Sequence, residues 1–183
     1  MKFLPTLLAF FLLAAAPTPK VITNTLKSTV TIITVNKDHR MGCTGFVVDI
    51  QTVITAKHCI PIVDGDEVFV DGKLSRVVKS NDELALLRIE PSKPPLDIRK
   101  EKANIGEYVW ALGYAYGELA VYERNIAGVY EGWVLTNGKF TDGMSGGPVV
   151  DEDGNVVGLI QASDTERGYI SSAKDIREFT GIK

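Results

Sequence analysis

The sequence predicts an all-β protein: two six-stranded antiparallel β-barrels followed by a short C-terminal α-helix. Three observations carry this. Short β-branched or alternating runs, separated by Gly, Asn, Asp and Pro, fill most of the 183 residues. They fall into two sets of about six, divided by Pro91-Ser92-Lys93-Pro94-Pro95, a stiff stretch that breaks strand pairing. Only the last segment changes to a helical period.

The N-terminus is a separate kind of segment. Lys2 precedes an almost unbroken apolar run from Phe3 to Ala16, then Pro17-Thr18-Pro19. A basic start and a short apolar run read as a secretory signal, too short for a membrane-spanning helix. Ala14-Ala15-Ala16 offers small residues for cleavage, although Pro17 is awkward just after a cut. Residues 1–19 are therefore set apart as a signal peptide or, uncleaved, an N-terminal anchor. Residues 20–183 form the folded unit, secreted or extracytoplasmic. An association with a membrane follows only if the leader stays on. Net charge is −3, which gives no reason to expect nucleic acid as a partner. Apolar residues make up 45%, enough to bury a real core.

The strands follow in order. Ser28–Val35, Thr44–Val48, Val53–Thr55, Glu67–Val70, Arg76–Lys79 and Leu84–Ile89 belong to a first barrel at about 26–90. A linker spans 91–104. Tyr108–Gly113, Leu119–Glu123, Ile126–Tyr130, Trp133–Thr136, Pro148–Val150, Val156–Ala162 and Gly168–Ser171 belong to a second at about 105–171. Asp153-Gly154-Asn155 is a tight turn joining Val150 and Val156 in a hairpin. The closing helix covers 172–181. Ser172 with Asp175 three residues on makes its N-terminus, Ile176 and Phe179 share a face, and Gly181 stops it. This helix is expected to pack on the second barrel.

Cys43 and Cys59 are the only cysteines. In an exported protein such a pair is normally a disulfide, contributing about 3 kcal/mol by closing its loop. A zinc site of His39, Cys43, His58 and Cys59 is the rival, but adjacent His58 and Cys59 have poor spacing for one tetrahedral ion. The acidic clusters Asp64–Glu67 and Asp151–Asp153 lack the ligand spacing of a calcium loop and read as solvated turns. No cofactor or metal is expected.

Two words carry chemistry: Thr55-Ala56-Lys57-His58-Cys59 and Asp142-Gly143-Met144-Ser145-Gly146-Gly147-Pro148. A serine hydroxyl is a weak nucleophile and needs a base. Glycines around Ser145 allow a sharp turn that exposes Oγ and lets the Gly143 and Ser145 amides converge on an oxyanion. The only histidines, His39 and His58, both precede Ser145. An α/β-hydrolase is excluded, because its histidine follows its serine. His39 sits in the polar run Asn36–Arg40 and reads as a loop residue. His58 follows an apolar strand and adjoins a disulfide half, which suits a fixed base.

With Gly42-Cys43-Thr44-Gly45-Phe46 and Glu83-Leu84-Ala85-Leu86-Leu87, these words resemble the trypsin-like (chymotrypsin-fold) serine proteases. The resemblance is strongest to compact bacterial and viral members and to the protease domain of the HtrA group, here without the PDZ-like domain that follows it there. It runs from about Thr29 to the closing helix. It implies a chymotrypsin-like double barrel and a serine endopeptidase acting on protein or peptide substrates. The triad it implies is His58, an acid and Ser145. Where the family writes aspartate, this chain has Glu83, with Asp82 one step earlier as the alternative acid. Strand alternation favours Glu83, on the face of Ala85, leaving Leu84 and Leu86 to the barrel interior. Met144 replaces the aspartate that digestive trypsins pair with a freshly cut N-terminal amine, so no zymogen switch of that type is expected. By position, Lys139, Phe140, Thr141, Gln161, Ala162 and Ser163 would line the primary substrate pocket. A lysine at its base would favour an acidic side chain, although an ordinary exposed lysine fits as well. The alternative reading is a catalytically inactive protease homologue that acts as a binding protein. Its only support is the unusual acid.

Overall fold

In the computed structural model, which describes residues 19–60, 66–90 and 93–182, alternating strands close into two antiparallel barrels. The predicted leader lies outside the described residues, apart from Pro19. The first barrel holds β1 (Thr29–Val35), β2 (Arg40–Asp49), β3 (Thr52–Ala56), β4 (Glu67–Val70), β5 (Lys73–Ser80) and β6 (Leu84–Arg88), in the order β1-β2-β3-β6-β5-β4. The second holds β7 (Tyr108–Ala115), β8 (Glu118–Val129), β9 (Trp133–Asn137), β10 (Pro148–Val150), β11 (Val156–Ser163) and β12 (Arg167–Ser172), in the order β10-β11-β12-β9-β8-β7. Each barrel closes by pairing its first and fourth strands, so no edge is left open.

The core follows from this closure. β3 and β6 are buried on both faces, because one face fills the first barrel and the other packs outward against its neighbours. Ala85 and Leu87 lie in register with Thr55 and Val53, and Leu87 also faces Val77, so these two take the interior. Leu86 pairs with Lys79, whose amine lies 4.7 Å from the Phe179 ring on the closing helix. Leu84 and Leu86 therefore point outward, the reverse of the expectation. The second core gathers Val109, Ile126, Met144, Val149, Ile160 and Ile170.

Three further differences from the sequence reading have physical causes. Lys20–Ser28 forms a helix, α1, that was not expected. Its β-branched composition argues for a strand, but Ile22, Thr25 and Ser28 recur on one face and are buried. Thr25 and Thr29 also donate their hydroxyls to carbonyls four residues back, at 2.9 Å. Tertiary burial overrides the local preference here. Second, Leu119–Glu123 and Ile126–Tyr130 belong to one strand, β8. Up to Asn125 it pairs with β7, and from Ile126 it turns to β9 through a register shift. Third, the closing helix α2 (Ala173–Thr180) has the expected Ser172 cap and a left-handed Gly181, yet it bridges both barrels. Ile176 and Phe179 join a cluster containing residues of the first barrel, and Lys79 donates to the Phe179 carbonyl at 2.5 Å.

The connector is stitched down rather than free. Leu96 N–H donates to the Val47 carbonyl at 2.9 Å, and Val156 N–H to that of Asp97 at 2.8 Å. Arg99 pairs with Glu107 and lies 3.4 Å from Asp151 in the β10–β11 turn. Asp151 also accepts from the Asp153 and Asn155 amides, so this acidic cluster shapes a turn. The Arg99 side chain is 12% exposed, and removing it strands two carboxylates that are nearly as covered. We expect Arg99→Ala to lower unfolding free energy by about 2 kcal/mol, less than a fully buried pair because its edges reach water. Lys73→Ala, in an ion pair exposed on both sides, should leave the urea midpoint unchanged. Equal shifts for the two variants would contradict this account.

Candidate active site

His58 is placed by the end of a strand and by a disulfide. β3 runs out at Ala56 into a single 3-10 turn, Lys57–Cys59. Lys57 N–H donates to the Glu83 carbonyl at 2.7 Å, which adds one rung to the β3–β6 ladder. Thr34 Oγ1 holds the Cys59 carbonyl at 2.7 Å. Cys43 and Cys59 are bonded, as the sequence suggested. A ring nitrogen of His58 lies within 4.8 Å of both sulfurs. Those sulfurs are bonded to each other and are not thiolates, so this group does not make a zinc site. The His58 ring opens to solvent on one side, but surrounding protein removes enough water to push its pKa below the ordinary 6.5. Partial burial disfavours the imidazolium and leaves the neutral, proton-accepting form in place. His39 is remote in role: it is exposed in the β1–β2 turn, where its amide donates to Asn36 Oδ1.

Ser145 is placed by the second barrel and pinned to the first. Met144 is fully buried in the second core and anchors the loop. Thr44 N–H donates to the Ser145 carbonyl at 2.9 Å, and Thr44 Oγ1 to that of Gly143 at 2.8 Å. The Cys59 sulfur sits 3.7 Å from the Ser145 carbonyl, so the disulfide is a common neighbour of histidine and serine. Gly146 has φ of 86°, and a Cβ there would fall 2.1 Å from the Thr44 carbonyl oxygen. Only glycine fits at that approach. The Asp142 carbonyl accepts from Tyr116 N–H at 2.9 Å, which fixes the next peptide plane and turns the Gly143 N–H the other way. Among the described residues, neither the Gly143 nor the Ser145 amide donates to any protein group, whereas Met144, Gly146 and Gly147 all do. Ser145 Oγ donates to the Gln161 carbonyl at 3.3 Å.

Of the two candidate acids, Glu83 faces the seam between the barrels. Asn81 Oδ1 accepts from the Glu83 and Leu84 amides at 2.9 and 2.7 Å, which sets the turn into β6. The Glu83 carboxylate accepts from Ser171 Oγ at 3.0 Å. Asp82 is exposed, and its side chain has no hydrogen-bond partner among the described residues. Among those residues, the His58 ring is bonded to neither Glu83 nor Ser145. Hydrogen bonds of this kind are often made only with substrate in place.

A cleft of about 310 Å³ opens beside Ser145, lined by Lys139, Phe140, Thr141, Ala162 and Ser163. Phe140 closes its floor: the ring packs against Gly168, where a Cβ would fall 2.3 Å from it, and its amide donates to Ser163 Oγ. Lys139 is exposed, with its carbonyl held by Arg124, so it is not a buried charge at the base. Gln161 is a correction to the pocket expectation. It does not line the cleft; its amide turns away to Glu83 and Ser171. Thr44, Tyr116 and Ser171 are site residues that sequence reasoning missed. A larger groove of about 790 Å³, between Val70, Leu74 and Ile89, is lined by none of these residues.

A family model of the trypsin-like peptidase domain matches residues 43–159, which hold His58, Glu83 and Ser145. No curated protein matches the chain. Among solved structures, the active form of the Rv3671c protease from M. tuberculosis is similar, with a TM-score of 0.79 and 23% identity over 98% of this chain and 93% of that one. The serine endoprotease from Yersinia pestis gives 0.80 at 20% identity, over 91% of this chain and 66% of that one. The HtrA-type protease AlgW, solved with a tripeptide, gives 0.77 at 19%, over 90% and 63%. At these identities the structures speak to the fold: each is a protease on a backbone like this one. Together with the family match across more than half the chain, they show that it belongs to the trypsin-like peptidase family and is a serine endopeptidase.

Proposed function

We propose that the chain cleaves peptide bonds through an acyl-enzyme on Ser145, with His58 as general base and Glu83 as the acid behind the ring. The observation that carries this is the pair of amides, Gly143 and Ser145, without a partner among the described residues, beside one half-buried hydroxyl on a loop where the Met144, Gly146 and Gly147 amides are all engaged. Such donors contribute about 3–4 kcal/mol each when they meet a developing oxyanion. In the reaction, Ser145 Oγ leaves the Gln161 carbonyl and gives its proton to His58 as it bonds to the substrate carbonyl carbon. The imidazolium then passes that proton to the departing amine as the C–N bond breaks. Water, deprotonated by the same ring, releases the acid product and frees the serine. Glu83 holds the ring and offsets its transient charge. The 310 Å³ cleft receives the side chain before the cut bond. Met144 in the core supports a loop that holds its shape without an N-terminal amine.

We also propose that the enzyme works outside the cytoplasm. Lys2 with the apolar run to Ala16 supports this, and so does an intact disulfide beside the site. The mass of the mature chain, with or without its first residues, reads whether the leader is removed.

A fluorophosphonate probe should label the folded protein, and Ser145→Ala should abolish both labelling and turnover. Folded protein that does not label would overturn the mechanism. Glu83→Gln should lower kcat by about 10⁴-fold while Asp82→Asn changes it little; the opposite ranking would move the acid to Asp82. Because burial lowers the His58 pKa, the base stays unprotonated to lower pH than a free imidazole. The acid limb of kcat/KM should therefore fall below pH 6.5, and a limb above that value would contradict the burial argument.

A further inference from the structure

We infer that Gln161 and Ser171 form a clamp across the barrel interface that positions Glu83, an inference resting on Glu83 as the triad acid. Both residues are polar and covered, at 6% and 0% exposure, so their groups need partners inside the protein. β11 and β12 pair Ile160 with Ile170 and then Ala162 with Tyr169, which leaves Gln161 as an extra residue in a bulge. A bulge re-aims its side chain, and this one points out of the second barrel toward the first.

The directions of the bonds are forced. Gln161 Nε2 donates to the Glu83 carbonyl at 3.0 Å and to Ser171 Oγ at 2.8 Å. Turning the amide over would set its oxygen against the Glu83 carbonyl, two acceptors facing each other. Ser171 Oγ therefore accepts from the amide, and its single proton goes to Glu83 Oε2 at 3.0 Å. One carboxylate oxygen is held and the other is left for the imidazole. Glutamate has one more rotatable bond than aspartate, so without a fixed oxygen it has more orientations to lose on meeting the ring. The Gln161 carbonyl also holds Ser145 Oγ, so one bulged residue touches both ends of the catalytic set. Gln161 and Ser171 are thus positioning residues that act through Glu83.

The test is a double-mutant cycle read by kcat, KM and the rate of fluorophosphonate labelling, with thermal melts as the check on folding. Ser171→Ala should lower kcat about tenfold, the loss of one hydrogen bond to a charged group, with KM unchanged. Ser171→Thr should restore it. Gln161→Met, which leaves Ser171 in place, should give a loss of similar size. In a Glu83→Gln background, Ser171→Ala should slow labelling no further. An undiminished extra loss in that background, or no loss of kcat from either single variant, would overturn the clamp. An unchanged kcat in Glu83→Gln alone would instead overturn the acid assignment beneath it.

Discussion

The structure depends on one junction between the barrels, where Thr44 of β2 meets the serine loop. Its amide takes the Ser145 carbonyl and its hydroxyl takes the Gly143 carbonyl. Thr55 Oγ1 in turn holds the Thr44 carbonyl at 2.7 Å. Backbone approaches this close are open only to glycine, which is why Gly146 and Gly147 stand where they do: a Cβ on either would meet a carbonyl oxygen at 2.1 Å. The base belongs to the first barrel and the nucleophile to the second. Neither barrel alone can align a proton transfer, which needs a heavy-atom approach of about 3 Å. The Thr44 bonds, with the disulfide beside them, turn two independent sheets into one site.

Much of this was legible because it is local. The double barrel shows in strand spacing and the proline connector, the helix cap in Ser172 and Asp175, and His58 and Ser145 in words whose residue types have few other uses. What stayed hidden depends on which distant segments touch. Ser171 is an unremarkable serine in a short strand, 88 positions from the glutamate it serves. Gln161 falls in the pocket by position in the family's pattern, and a count of positions does not reveal the bulge that re-aims its side chain. Leu84 and Leu86 were placed inside because alternation names two faces without saying which is inner; with both covered, hydrophobicity does not decide. Nothing in the composition of α1 names a helix, because Val21, Ile22, Thr23 and Thr25 are β-branched, and only the burial of Ile22, Thr25 and Ser28 on one face stabilises it.

The buried polar groups at this interface also explain why the barrels dock in one way. Apolar surfaces attract with little regard to register, so Leu84, Leu86, Ile176 and Phe179 favour association without fixing it. Hydrogen bonds fix it, because a shift of one residue leaves covered donors and acceptors empty at about 1–3 kcal/mol each. Thr44, Gln161, Ser171 and the glutamate carboxylate are such groups, and each is satisfied only in the arrangement seen. The same contacts therefore serve two ends. They select one packing of the barrels, and that packing sets the orientation of the acid that must stand behind the imidazole.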